Sequence, residues 1–118
     1  MSLKDKILAA QLKSEKVFVP QWDAEVLVRE LNGGQRAKFM EKTMTVNKQG
    51  EAQINISNMN FEITLLSCCD PETGERLFKE ADREGLLAAS AAAIDVVAQV
   101  GLRLSGLNNV AVEETEKN

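Results

Sequence analysis

Between Glu80 and Leu104 the chain runs through an alanine-rich apolar stretch without a proline, closed by Ser105-Gly106. That stretch limits the fold more than any other feature. Opening at Glu80 or Asp82, it reads as a long helical region, because alanine and leucine favour helix and nothing inside it forbids one. Leu87, Ile94 and Gly101 fall near one line, with Val97, Val100 and Leu104 beside it. An apolar stripe of this kind has to be covered by another element. The small residues Ala88, Ala89, Ala91, Ala92 and Ala93 permit close helix contacts. Gly85 and Ser90 are places where the helix can bend or break, and Gly106 is its expected terminator.

The remaining segments are shorter. Ser2 can cap a first helix, with Asp5 as its capping-box partner. Leu3, Ile7 and Leu8 share one face of it, with Leu12 further along, although so short a helix is marginal alone. Val17-Phe-Val-Pro20 is extended, since Pro20 biases Val19 away from helix. Gln21-Trp22-Asp23 reads as a turn. Val26 and Val28 then alternate with Leu27, which suits a strand. The spacing from 23 to 31 also admits a helix, but the branched residues and the proline favour a hairpin. Asn32-Gly33-Gly34 ends that unit, and a helix over roughly 34–44 follows, carrying Ala37, Phe39, Met40 and Met44. Asn47–Gly50 is a turn, and Glu51–Ile56 is a short strand or a polar connector. Asn58 or Asn60 caps a helix over roughly 60–69. Phe61, Leu65 and Cys68 share one face there, widened by Ile63 and Leu66, which makes this helix central. Asp70-Pro-Glu-Thr-Gly74 is a turn, and Leu77-Phe78 an apolar step after it. The expected fold class is therefore mainly α: a small helical domain with a short N-terminal β-hairpin. Residues 1–16 form an N-terminal helix or arm, 17–107 the domain itself, and 108–118 a flexible acidic tail.

Composition narrows the function. A chain of 118 residues is expected to form one domain, burying roughly two thirds of the surface exposed when unfolded. Apolar residues make up 44% but aromatics only 4%, so the core relies on aliphatic side chains. Much of the apolar supply is then available for contacts between subunits. The net charge of -4, without a basic run, disfavours nucleic-acid binding. No stretch is long and apolar enough to span a membrane. The N-terminal segment is too charged for a secretory signal, which points to the cytosol.

The catalytic inventory is thin. There is no histidine and no tyrosine, so general acid–base work would fall to carboxylates or a lysine. Glu80 and Glu84 sit on one helical face where they can share a cation, but acidic groups in a first helical turn are explained by the helix dipole. Asp70, Glu72 and Thr73 are too few and too close for a calcium loop. Asn32-Gly33-Gly34-Gln35-Arg36 lacks the lysine–hydroxyl pair of a nucleotide loop. Cys68 and Cys69 read as buried small hydrophobes; adjacent cysteines seldom bridge, and a mixed Cys/His zinc site is impossible. No catalytic, cofactor or metal residue is assigned.

The candidate residues are instead ones that bind a partner or a sister subunit. Trp22, in a turn beside a proline, is a rigid aromatic that either plugs the edge of the core or anchors a partner. Arg29 can fix a neighbouring subunit or stay solvated. Val97, Val100, Leu104 and Leu107 complete the candidate interface, with the helix-end core as the competing role for Leu107.

Val19-Pro20-Gln-Trp-Asp, Val26-Leu-Val-Arg-Glu-Leu31, a glycine step and Arg36-Ala-Lys-Phe39 together resemble the opening of tail assembly chaperones from long, non-contractile-tailed bacteriophages. Asp70–Phe78 and Asp82–Leu87 are similar to their acidic turn and the start of their C-terminal helical pair. Leu102-Arg-Leu-Ser-Gly-Leu107, Val110-Ala-Val-Glu-Glu114 and Lys117-Asn118 resemble their ending. The resemblance covers residues 17–118. It departs at 45–57, a polar connector rich in asparagine and glutamine, and at Cys68-Cys69, for which it supplies no role.

The resemblance implies a non-enzymatic protein of the infected bacterial cytoplasm, absent from the finished virion. Such chaperones coat the tape-measure protein, keep it soluble and help bring tail-tube subunits to it, and they tend to self-associate. It also implies a second, longer product made by a minus-one ribosomal frameshift, through which the tail-tube protein is engaged. Glu116-Lys117-Asn118 permits the codons GAA-AAA-AAC, which contain a slippery heptamer in frame. The competing class is an oligomeric structural or tail-completion adaptor of a phage or prophage.

Overall fold

A computed structural model describes residues 2–107. The elements in chain order are α1 (Leu3–Ala9), β1 (Ser14–Val19), a 3-10 turn (Pro20–Trp22), β2 (Ala24–Arg29), α2 (Gly33–Thr43), β3 (Met44–Val46), β4 (Ala52–Ile54), α3 (Ile56–Ser67), β5 (Cys68–Cys69), a second 3-10 turn (Glu80–Asp82), α4 (Arg83–Leu87) and α5 (Ala91–Leu104). The fold is a small mixed α/β domain in which helix is the larger share.

Helix α3 is the central element. Every residue from Phe61 to Cys69 is buried, as expected of a helix apolar almost all round. It begins at Ile56, four residues before the expected start. Asn55 is the cap: its side chain accepts from the Asn58 amide at 3.2 Å. The two asparagines expected to cap it are used elsewhere, Asn58 donating to the Lys42 carbonyl and Asn60 to Asp95 Oδ1, both at 2.9 Å.

The long alanine-rich region is interrupted. Helix α4 ends at Leu87, and α5 starts afresh after Ser90, whose hydroxyl accepts from the Ala93 amide at 3.2 Å. A serine that can cap competes with helix continuation. The break rotates Leu87 off the Ile94–Gly101 line, and it is exposed while Ile94 is buried. At the other end, Gly106 has φ 73°. The Leu107 amide donates to the Leu102 carbonyl at 2.7 Å, and the Gly106 amide to that of Arg103 at 3.1 Å. This paired closure is the glycine-terminated helix end, with Leu107 folded back against Leu102 in one apolar cluster.

The sheet is larger than a two-stranded hairpin. β1 and β2 pair antiparallel from Ser14 opposite Arg29 to Val19 opposite Ala24. β1 thus starts three residues before the expected boundary at 17. β5 adds to β2, with Leu27 opposite Cys69 and Val28 opposite Cys68. The cysteines that end α3 are therefore sheet residues, which the helical periodicity of the preceding segment conceals. One face of the sheet buries Val19, Val26, Val28 and Cys68 against Ala93 and Val97 of α5. β3 and β4 form a separate two-stranded ribbon. Helix α1 buries none of its residues.

Candidate functional site

The 3-10 turn, the loop after β5 and helix α4 enclose an apolar groove of about 450 Å³, lined by Trp22, Leu77, Phe78, Leu86 and Ala89 with Asp82 at its polar side. Each wall has an identifiable local cause. Pro20 opens the 3-10 turn and Asp23 closes it in the left-handed region at φ 48°, reversing the chain so that Trp22 ends beside Phe78. The two rings meet edge to face at 63°, with centroids 6.3 Å apart, a favourable aromatic geometry.

The loop that carries Leu77 and Phe78 is tied to the sheet. The Gly74 amide donates to the Asp70 carbonyl at 2.7 Å, Glu72 N to Asp70 Oδ1 at 2.8 Å, and Leu77 N to the Cys68 carbonyl at 3.0 Å. Gly74 adopts φ 75°, which only glycine reaches without strain. The acidic turn thus holds Leu77 outward, 40% exposed.

Helix α4 is held against α3 by Arg83. Its guanidinium donates to both oxygens of buried Glu62, to Glu80 at 3.0 Å, and lies 5.4 Å from the Phe61 ring centroid. The same hydrogen bond from Arg83 holds the Glu80 carboxyl below the usual range, opposed by partial desolvation. Hydrogen bonds to Glu62 and then Glu80 raise the Arg83 pKa further above its already high value. Asp82 accepts from the Lys79 amide at 2.8 Å. Asp82 is thus used for capping and Glu80 for clamping Arg83. Among the described residues no group of three or more histidine, cysteine or carboxylate side chains converges on a metal-sized point.

The six candidate residues do not share one surface. Trp22 is half-buried and lines the groove. Arg29 is half-buried at the far end of β2, beside Leu12 and Ser14. Val100 and Leu104 are partly buried against the sheet side of α5. Val97 and Leu107 are fully inside, at 0% and 1% exposure, so in the folded chain they are core residues and present nothing to a partner. The stripe on α5 that looked like an interface is covered by α3 and the sheet. Sequence reasoning passed over Leu77, Phe78 and Leu86 as site residues. The signal was the Leu77-Phe78 step after a turn, a place where two large apolar residues have no helix or strand to bury them.

Both cysteines are free thiols and buried. Burial, and secondarily the neighbouring Cys69, pushes the Cys68 thiol up to about 12. Burial also raises Cys69, opposed by Arg29 and Arg76. A nucleophilic thiol needs the opposite environment. Among the described residues no helix is long and apolar enough to cross a membrane. The groove is an open surface whose lining is mostly apolar.

The tail assembly chaperone of bacteriophage HK97 has the same fold: its structure superposes with a TM-score of 0.59 at 18% sequence identity, covering 87% of this chain and 98% of that one. A search of curated proteins finds no match. A family model of phage tail assembly chaperones matches residues 2–118, and the chain belongs to that family.

Proposed function

We propose that this chain is a non-enzymatic chaperone that binds and solubilises the phage tape-measure protein and promotes assembly of the tail tube. The observation that carries the reading is the open apolar groove between Trp22 and α4, in a chain of the tail assembly chaperone family. Its aromatic floor is pre-organised by the acidic turn and the Arg83 clamp, so little ordering is left to offset on binding. Amphipathic helical segments of a long client bury apolar side chains in such a groove without needing one fixed sequence. Leu87, 61% exposed, lies in a neighbouring depression with Phe61, Ala89 and Ile94.

On this reading the protein acts in the cytoplasm of the bacterial host, self-associates and is left out of the mature virion. A minus-one frameshift at Glu116-Lys117-Asn118 yields a longer form that engages the tail-tube protein. Those three residues lie outside the described part of the chain.

Co-expression with the neighbouring tape-measure protein is the test. The expected result is a soluble complex that is lost with Leu77→Asp in a chain with unchanged circular dichroism. A tape measure equally soluble alone, without co-purification, refutes the assignment. Fractionation of virions separates the chaperone from a tail-completion adaptor, which stays in the particle. The last codons of the gene and its minus-one frame test the longer product.

A further inference from the structure

We propose that the Trp22–Phe78 groove also receives helix α1 from a second copy of this chain, so that a sister subunit occupies the surface proposed above for the client. The inference rests on that groove being a helix-binding surface, and it names a particular occupant.

Three observations carry it. First, α1 has an apolar face with nothing against it: Leu3, Ile7 and Leu8 are 73%, 62% and 73% exposed. Leu3 and Ile7 are one helical turn apart and stand together. A seven-residue helix is marginal alone, and capping by Ser2 at 3.2 Å is a weak substitute for packing. Second, the charges are complementary. Lys4 and Lys6 flank the apolar face with one opposing Asp5, whereas the charged residue lining the groove is Asp82. Opposite patches of this kind steer and orient an encounter.

Third, α1 and its own groove lie at opposite ends of β1. The Lys13 amide donates to Glu30 Oε1 at 2.8 Å, and the Glu30 amide to the Lys13 carbonyl at 2.9 Å. The chain is thereby anchored at the Ser14 end of β1, whereas Trp22 follows its Val19 end. Between that anchor and α1 lie only Ala10, Gln11 and Leu12. A second copy meets no such tether.

The contact joins two different patches, which provides a decisive mixing experiment. One variant, Leu3→Asp with Ile7→Asp, removes the helix face and leaves the groove. The other, Leu77→Asp, spoils the groove and leaves the helix. Both alter exposed positions, and circular dichroism verifies folding. Light scattering over a concentration series should show wild-type mass rising with concentration. Each variant alone should associate at least tenfold more weakly. An equimolar mixture of the two should recover a heterodimer, because it contains one intact helix and one intact groove. Variants that assemble like wild type place self-association on another face and overturn the proposal. Variants that weaken but do not form the heterodimer also overturn it. A wild-type chain monomeric throughout, whose Trp22 emission shifts when α1 is altered, shows the helix in its own groove and sinks the two-copy arrangement. The client reading is tested separately: the α1 variant keeps its groove and should still solubilise the tape measure, whereas failure there with heterodimer formation intact would reject the client and keep the subunit contact.

Discussion

Gly101 of α5 faces Ser67 of α3 so closely that a β-carbon on the glycine would lie 2.8 Å from the serine hydroxyl oxygen and 3.0 Å from Ile63 Cγ1. The two helices cross at a point where only a hydrogen fits. Gly101→Ala gains about 1 kcal/mol of helix propensity, but overpacking a dense core costs about 1–3 kcal/mol. The expected result is net destabilisation of about 1 kcal/mol in urea unfolding. Ser67 Oγ has no hydrogen-bond partner among the described residues. Ser67→Ala should therefore be near neutral alone and should reduce the Gly101→Ala penalty. Simple additivity of the two changes would show that the hydroxyl is not what opposes the β-carbon.

The Arg83–Glu62 pair should be costly to break from one side. Glu62 is 3% exposed at its side chain, so Arg83→Ala leaves a buried carboxylate without its partner. A loss of about 3 kcal/mol is expected. Arg83→Lys should recover only part of it, because an ammonium cannot match both carboxylate oxygens at once. Because Arg83 also orders one wall of the groove, hydrogen exchange at α4 should accelerate in Arg83→Ala under conditions where α3 remains protected. Equal acceleration in both helices would mean that the pair supports the whole fold and not the groove wall.

Leu107 and Leu87 separate core from surface. Leu107→Ala removes a buried side chain from the cluster with Phe39, Met59 and Leu102 and should cost about 2–5 kcal/mol. Leu87→Ala, at an exposed position, should stay within about 0.5 kcal/mol of wild type. Denaturant midpoints measured side by side decide the matter. A Leu107→Ala chain of undiminished stability would contradict its placement at the closure of α5.

Stability should fall in alkali through Cys68. Its pKa rises from 9.0 to about 12 on folding, so between those values the folded state holds a proton that the unfolded state has released. The contribution is fully present below about pH 9 and is lost as pH rises toward 12, at up to about 1.4 kcal/mol per unit. Cys68→Ala should flatten that part of the profile. The chain has no tyrosine, so thiolate absorbance can be followed without tyrosinate interference. Iodoacetamide at pH 8 should label the thiols only on unfolding.

Local order was readable where it depends on neighbours in the chain. Ser2, Gly106 and the Asp70–Gly74 turn act as their residue types require, because capping and turn chemistry are settled within a few positions. The interruption at Ser90 was visible as a possibility for the same reason. The start of α3 was misplaced because Asn55, Asn58 and Asn60 are equivalent caps by composition. Their assignment depends on what the carbonyl of Lys42 and the carboxylate of Asp95 demand from across the fold. β5 was illegible because two residues carry no period.

The sequence by itself determined that this is a histidine-free chain of helices and short strands with too few aromatic residues for a large-anchored core. Its motif order also pointed to the tail assembly chaperones, the family that residues 2–118 match. Only the tertiary structure decided which apolar residues are covered and which stay exposed. Val97 and Leu107 are no more hydrophobic than residues that remain uncovered, yet the sheet closes over Val97 and helices α2 and α3 over Leu107, while the turn at Asp70–Gly74 leaves Leu77 outside and the break at Ser90 leaves Leu87 outside. Periodicity says that a face must be buried; it does not say whether the covering element belongs to the same chain.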